Sequence, residues 1–246
     1  MKHKSFFTLF SRSDITRTLL TILAFGTLWG ATEALFGGLL HMILPARIPG
    51  KIMVGIAMGI MAFAIRRTGK VSLPLMMALI AAPLKLFSAV IFNIPVNAPQ
   101  VLNPAFAILA QGAAFSVLAS LIYRRHKHIT GLRLRDRLQW GMIGIGASVL
   151  QAGLFVIIIR SLGVLLYPSI AVLQERGLRF PHWAFSWDGV WSFSSRTVPL
   201  IAIAAGIAVV IAGVIPVYAQ KPLRKSILAV GSAACLIIFF AASFLF

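Results

Sequence analysis

The sequence predicts an all-α integral membrane protein, a single polytopic bundle of about seven transmembrane helices, six plus one. Three observations lead to this fold class. The chain of 246 residues is 59% hydrophobic and only 11% charged, whereas a soluble domain carries about 25% charged residues. Its mean hydropathy is +0.94. Most of its apolar segments approach or exceed the roughly 20 residues that cross a bilayer as a helix.

The apolar segments give the predicted spans in order. They lie at about 18–44, 52–66, 73–93, 101–123, 140–167, 197–219 and 226–246. We interpret them as helices, because open strand edges in lipid would leave backbone groups without hydrogen bonds. The first run is too long for a signal peptide and no A-x-A-like cleavage site follows it, so we expect it to remain as a span. Residues 1–246 then form one transmembrane domain.

The uneven distribution of basic residues predicts the orientation of the chain. Most of the 23 lysine and arginine residues precede span one or follow spans two, four and six, on one side of the membrane if the chain crosses seven times. The positive-inside rule then places the N-terminus in the cytoplasm and the C-terminus outside. We expect a multi-pass protein of the cytoplasmic (inner) membrane. The basic clusters lack interleaved aromatic residues, so we expect contacts with membrane lipid and not with nucleic acid.

The predicted outer side has three loops. They are 45–51, 93–103 and 168–196. The second loop carries the amide side chains of Asn93, Asn97 and Asn103 among prolines, which disfavour regular structure while the amides offer hydrogen-bond donors and acceptors. These amides are candidates for the entrance of a binding site.

The third outer loop is rich in tryptophan. Trp183, Trp187 and Trp191 recur every four residues and would share one face if the stretch is helical. Two interpretations are open and are compatible with each other. Such a helix lies in the outer headgroup region, which tryptophan prefers, or it forms a lid whose rings stack on a ligand.

Small residues recur every four positions in span one and form a ridge. The ridge consists of Gly26, Gly30, Ala34 and Gly38. Such ridges let membrane helices approach closely. Internal helix packing is the favoured interpretation, and docking of a partner membrane protein is the alternative. Gly55 and Gly59 in span two repeat the spacing.

A second, polar ridge lies one position further around span one. It consists of Trp29, Glu33, Gly37 and His41. A charged carboxylate in lipid costs several kcal/mol, so Glu33 is expected to face the bundle interior and to have a partner. Counting inward from the outer ends at 1.5 Å per residue puts Glu33, Lys85 and Gln111 at similar depths, about 12–17 Å below the surface. Arg160 lies nearer the surface and Gln151 lies deeper.

We therefore expect Lys85 to be the partner of Glu33. Pro83, two residues earlier, removes a backbone hydrogen bond, and kinked spans at polar sites often line a cavity. The pair is interpreted either as a structural ion pair, with a lysine that snorkels, or as a ligand-binding site. The second interpretation is slightly favoured, because intramembrane ionisable residues are usually functional.

Motifs for other chemistry are missing from the sequence. A P-loop, a G-x-S-x-G elbow and a paired-carboxylate motif are all absent. His41 has no H-x-x-x-H or HExxH spacing, so no metal site, cofactor or catalytic residue is predicted. The single cysteine, Cys235, allows no internal disulfide. We predict that the chain is not an enzyme.

Taken together, these features resemble the substrate-binding S components of energy-coupling factor (ECF) transporters, which take up vitamins and other micronutrients. The resemblance rests on WGATEALFGGLLH, ALIAAPLKLF and NPAFAILAQG and covers about residues 18–123. It implies a docking strip formed by Gly26, Gly30 and Ala34, with a transmembrane coupling protein and ATPase subunits as partners. The predicted seventh span and the very short first loop depart from the family's pattern.

The expected function is substrate binding for the uptake of a small, vitamin-like nutrient, energised by separate partner proteins. The candidate substrate-binding residues are Glu33, His41, Lys85, Asn93, Asn97, Asn103, Gln111, Arg160, Trp183 and Trp187. A structural or accessory subunit of a larger membrane complex is the alternative. A membrane-embedded, lipid-modifying enzyme with Glu33 or His41 as its base is the least favoured, because acid–base groups are scarce.

Overall fold

The computed structural model describes residues 12–45, 48–91, 93–125, 134–175 and 180–214, with residues 230 and 232–234. All regular structure in these residues is helical. In chain order the α-helices are α1 (Arg12–Ala31), α2 (Gly37–Ile43), α3 (Pro49–Thr68), α4 (Leu73–Leu86), α5 (Ser88–Ile91), α6 (Pro99–Arg125), α7 (Leu134–Ile158), α8 (Val164–Leu166), α9 (Ile170–Glu175) and α10 (Trp187–Val214). A π-helical turn, Thr32–Phe36, joins α1 to α2, and a second, Ile159–Gly163, joins α7 to α8.

The described part of the chain contains six helical stretches that are long and apolar enough to cross a membrane. They are Ile15–Phe36, Pro49–Thr68, Leu73–Ile91, Pro99–Ile122, Leu134–Gly163 and Trp187–Ala212. The prediction of an all-helical, multi-pass membrane protein is confirmed. The predicted seventh span, 226–246, lies almost wholly outside the described residues, so the structure gives it no support. The segment predicted at 52–66 is longer than its apolar core indicates, because polar residues at both ends continue the helix.

The long helices pack as a closed series of neighbours. α1 packs on α4, α4 on α6, α6 on α7, α7 on α10, and α10 on α3, which also contacts α1, α4, α6 and α7. α3 therefore lies against every other long helix. The second half of α3 lies at the centre of the apolar core. The fully buried side chains of this core come from several helices and include Met58, Met61, Ile65, Met77, Phe115 and Trp140.

Part of the small-residue ridge of span one lies against α4. A Cβ atom at Gly30 would stand 2.9 Å from the Leu84 Cβ, and one at Gly26 would stand 2.8 Å from the Ile80 Cβ. Ala34 is 1% exposed. The backbones of α1 and α4 approach this closely only because the ridge has no larger side chains. α4 covers this stretch of the predicted docking strip, which favours internal packing.

The tryptophan-rich loop is shorter than predicted, because α10 begins at Trp187 and not near residue 197. Ser186 is extended, with φ −120° and ψ 150°, and its Oγ accepts a hydrogen bond of 3.0 Å from the Gly189 N–H. This is the geometry of a serine N-cap, which fixes the start of the helix. The condition for one shared helical face is therefore not met by Trp183, which lies in the preceding 3₁₀ turn His182–Phe185.

Candidate functional site

A cavity of about 820 Å³ lies at the end of the bundle where α3, α6 and α10 begin. We call it the main cavity. It brings together five of the predicted site residues, which come from three different spans and the 3₁₀ turn. These are Glu33, Lys85, Asn103, Gln111 and Trp183. Basic residues mark the opposite end of the bundle, where α3 ends at Arg66 and Arg67 and α7 begins near Arg135.

The position of Glu33 depends on the π-helical turn Thr32–Phe36. In an α-helix the Gly37 N–H would donate to the Glu33 carbonyl, but here it donates to the Thr32 carbonyl. The Glu33 carbonyl thereby loses its α-helical donor. The Lys85 Nζ donates to that carbonyl at 3.0 Å. The π-helical turn thus lets a lysine of α4 bind the backbone of span one at the depth of the carboxylate.

Glu33 and Lys85 are both buried, at 9% and 7% exposure. The two side chains attract each other electrostatically. Because the Lys85 hydrogen bond goes to the carbonyl, it does not occupy the carboxylate, and Glu33 lines the cavity. The buried Trp29 indole also interacts with the carboxylate, but its N–H lacks the geometry of a hydrogen bond. Glu33 and Lys85 are therefore neighbours, as predicted. A role of the two residues in ligand binding stays a prediction.

Gln111 lies at the inner boundary of the main cavity. It is 2% exposed, and its Nε2 donates to the Val54 carbonyl at 3.1 Å. This hydrogen bond joins α6 to α3. Gln111 lies 12 residues after Pro99, where α6 begins, so the cavity extends about 18 Å along that helix at 1.5 Å per residue.

Asn103 lies closer to the start of α6 and connects it to the segment after α7. The Tyr167 hydroxyl donates to the Asn103 Oδ1. Tyr167 is also packed edge-on against Phe180, with ring centroids 5.9 Å apart. Burial raises the pKa of Tyr167 to about 12, so the hydroxyl keeps its proton and remains a hydrogen-bond donor throughout the neutral range.

An aromatic wall closes one side of the main cavity. The Trp183 ring is stacked on Phe193 of α10 at a centroid distance of 4.0 Å and an angle of 18°. Phe155 of α7 lies on the wall as well, 6.2 Å from Trp183. Such a wall presents flat apolar faces to a bound molecule.

Several predicted site residues lie elsewhere. Asn93 and Asn97 are exposed and are not part of the cavity lining. Asn93 has a positive φ of 49°, a conformation that asparagine tolerates in turns. It forms the turn after α5. His41 and Gly38 lie in α2, but the surroundings of both residues are outside what the structure describes.

Arg160 and Trp187 contact each other and not the main cavity. The Arg160 guanidinium lies 4.9 Å from the Trp187 ring centroid, and its Nε donates to the Ala184 carbonyl at 2.6 Å. Trp187 itself is 79% exposed. The pair thus holds the 3₁₀ turn that carries Trp183, and the exposure of Trp187 favours the headgroup interpretation for this residue.

A second space of about 600 Å³ adjoins the main cavity and was not predicted from the sequence. We call it the side chamber. Its lining includes Lys51, Gln151 and Arg196, and it shares the aromatic wall with the main cavity. The sequence contained one indication of it: Lys51 and Arg196 are basic residues on the predicted outer side, where basic residues are few. Gln151 is one of the few amides within a predicted span.

The combined site offers ionic groups, amides and aromatic faces, which suit non-covalent binding of a small polar molecule. Among the described residues, no group of three His, Cys, Asp or Glu side chains is arranged to hold a metal ion. No protein-family model matches the chain, and comparison with curated proteins and with solved structures finds no match either.

Proposed function

We propose that the chain is the membrane-embedded substrate-binding component of an uptake system for a small, vitamin-like nutrient. The main cavity carries this proposal. Its volume of about 820 Å³ falls within the roughly 300–1,000 Å³ that is typical of small-molecule sites. Two buried ionisable residues, Glu33 and Lys85, line it at the depth where ionisable groups in membrane proteins usually serve a function.

The orientation of the chain supports uptake from outside. The cavity lies at the end opposite the basic residues in the last turn of α3 and the first turn of α7. By the positive-inside rule, that basic end faces the cytoplasm, with the N-terminus, and the cavity faces outward across the cytoplasmic (inner) membrane. A molecule then enters from the outer side and meets the polar groups partway into the bundle.

The ligand contacts follow from the chemistry of the lining. A cationic group of the ligand pairs with the Glu33 carboxylate, an anionic or carbonyl group approaches Lys85, and flat apolar parts lie on the aromatic wall. The Lys85 ammonium is hydrogen-bonded to the Glu33 carbonyl and not to the carboxylate. The carboxylate can therefore pair with a ligand while Lys85 keeps its hydrogen bond. Transport energy comes from partner proteins, namely a transmembrane coupling protein and ATPases, since the sequence has no P-loop.

Mass spectrometry of the purified protein tests this proposal. Wild-type protein in mild detergent is released in the gas phase, and the mass of any retained small molecule is measured. We expect one reproducible ligand, which is lost in the Glu33→Gln and Lys85→Met variants. Uptake of that molecule by cells falls in parallel.

Two variants at the basic end serve as matched controls. Lys70→Met removes a lysine whose ammonium donates to the Thr18 hydroxyl, and Asp136→Asn removes a buried carboxylate of α7. Both are expected to retain the ligand. Unchanged retention and uptake in Glu33→Gln and Lys85→Met would contradict the proposal. A stable complex with other membrane proteins and no bound small molecule would favour the accessory-subunit alternative.

A further inference from the structure

Positive charge lines the side chamber. Among the described residues of its lining, the two that are ionisable, Lys51 of α3 and Arg196 of α10, are both basic. Neither side chain makes a hydrogen bond or an ion pair with any residue that the structure describes. Lys51 is half-buried and Arg196 is exposed. Lys51 also lies in the first turn of α3, where the helix dipole adds positive potential. An anion placed between the two helices is attracted by both side chains.

Gln151 adds a second, independent indication of a ligand. It is 4% exposed, and its Oε1 is sealed from solvent without a hydrogen-bond partner in the described residues. A buried amide oxygen without a partner costs about 1–3 kcal/mol, so such atoms are rare in folded proteins. The residue lines the side chamber, although this oxygen itself is closed to a water-sized probe. A rotation of the amide that turns the oxygen into the chamber would let a ligand donor satisfy it.

The aromatic wall relates these polar groups to the main cavity. Trp183, Phe155 and Phe193 line both spaces, and Gly50 and Ala107 do so as well. A Cβ at Gly50 would meet nothing within 4 Å. The two spaces therefore adjoin at a boundary of aromatic faces and small residues, and a flat molecule on the wall reaches the polar groups of the side chamber.

We propose that the side chamber is an anion-binding subsite for a flat heteroaromatic acid. The acid group lies between Lys51 and Arg196, a ring N–H donates to the Gln151 Oε1, and the ring lies on Trp183. This inference rests on the proposed function, because it specifies the ligand class that the same uptake component takes. It adds three recognition groups that the main cavity does not supply.

Three related probes separate the contact made by the acid group from the contact made by the ring N–H. Indole-3-acetate carries the acid, the N–H and the flat ring. Indole-3-acetamide lacks the charge, and 1-methylindole-3-acetate lacks the N–H donor. Binding to the purified full-length chain is measured by titration calorimetry in detergent. We expect indole-3-acetate to bind about tenfold more tightly than the amide, since charge-assisted hydrogen bonds are about twice as strong as neutral ones. It should bind about fivefold more tightly than the N-methyl compound.

Variants assign each preference to its residue. Lys51→Met and Arg196→Gln each reduce the acid-over-amide preference severalfold, and together they abolish it. Gln151→Met abolishes the preference over the N-methyl compound without lowering the unfolding temperature, because it removes a polar atom that had no partner. A merely structural glutamine would instead lose thermal stability. Lys70→Met and Arg135→Gln, at the basic end, leave both preferences unchanged.

The remaining outcomes overturn the proposal. They are no binding of indole-3-acetate, equal binding of acid and amide, or an acid preference that survives the Lys51→Met/Arg196→Gln double variant. Loss of the preference in phosphatidylglycerol nanodiscs, with retention in phosphatidylcholine nanodiscs, would assign the chamber to a lipid headgroup and not to a free acid. A retained neutral ligand that depends on Glu33 would remove the anion subsite while leaving the proposed function intact.

Discussion

The two ends of the bundle consist of the same six helices but differ in how the helices meet. Towards the basic end, Met61 and Ile65 of α3 and Trp140 of α7 are fully buried against one another's helices. Towards the other end, the helices separate around the main cavity, where Glu33 and Lys85 lie. Large flexible and aromatic side chains fill the first region. The second keeps its polar groups beside open space, which is unfavourable for packing but necessary for binding.

The difference predicts that steric changes in the packed region affect folding, whereas steric changes at the cavity affect binding. Gly112 of α6 provides the largest expected effect. A Cβ there would overlap Ala78 and stand 2.7 Å from the Pro74 carbonyl oxygen. We expect Gly112→Leu to destabilise the protein by about 3 kcal/mol or more, or to prevent folding. Thermal unfolding in detergent measures this effect.

Gly153 supplies the control for that variant. A Cβ at Gly153 would meet nothing within 4 Å, and the residue is exposed on α7. Gly153→Leu should leave the unfolding temperature nearly unchanged. Equal stability of the two leucine variants would show that α4 and α6 do not approach as described.

Removing one member of the buried pair has the next largest effect. Lys85→Met leaves the Glu33 carboxylate without its cation and should cost about 3 kcal/mol. Glu33→Gln should cost less, about 1 kcal/mol, because Lys85 keeps its hydrogen bond to the backbone carbonyl of residue 33. The double variant should be more stable than Lys85→Met alone. A double-mutant cycle of unfolding free energies checks this order, and strict additivity of the two changes would contradict it.

How much of the site the sequence predicts depends on the kind of inference. Glu33, Lys85 and Gln111 were placed at one depth by counting residues, and all three line one cavity, because the helical rise is nearly constant. Asn93 and Trp187 were placed in the site by loop position and spacing, and they lie outside its lining. Loop position and residue spacing do not specify the backbone conformation, which decides where a side chain points.

Three features depend on tertiary structure, and the sequence indicates them only in part or not at all. The π-helical turn Thr32–Phe36 changes which carbonyl is available to Lys85, and apolar patterning does not encode it. The side chamber depends on how α3, α7 and α10 come together. The end of the 3₁₀ turn had a partial signal, since Ser186 followed by Asp188 is typical of a helix start.

Filling the main cavity without changing its charges should reduce binding and not stability. A Cβ at Gly37 would lie 3.7 Å from the Met53 Cγ and 3.8 Å from the Glu33 Oε2, which are ordinary contact distances. Gly37→Leu therefore fits at its base and extends into the cavity, and leucine favours helix more than glycine does. We expect binding of the retained ligand to fall at least about tenfold, equivalent to 1.4 kcal/mol. A lowered unfolding temperature with unchanged binding would be the opposite result.

The smallest effect is expected at the entrance, where Tyr167 donates to Asn103. Tyr167→Phe removes one neutral hydrogen bond and should cost about 1 kcal/mol. The folded-state pKa of Tyr167 is raised from 10.0 to about 12. Its contribution is therefore complete below pH 10 and is lost as the pH rises towards 12. Unfolding midpoints across that window should fall more steeply with pH in the wild type than in Tyr167→Phe, and identical slopes would contradict this assignment.

The most direct test of the account is the side from which the main cavity is accessible. Cys235→Ser gives a chain without cysteine, into which Ala107→Cys, on the cavity lining, or Ala62→Cys, in the packed core, is introduced. A charged, membrane-impermeant thiol reagent is added to right-side-out or inverted vesicles, and labelling rates are measured. The account predicts labelling of Ala107→Cys in right-side-out vesicles alone, and labelling of Ala62→Cys in neither. Labelling of Ala107→Cys only in inverted vesicles, or equal labelling of both variants, would contradict it.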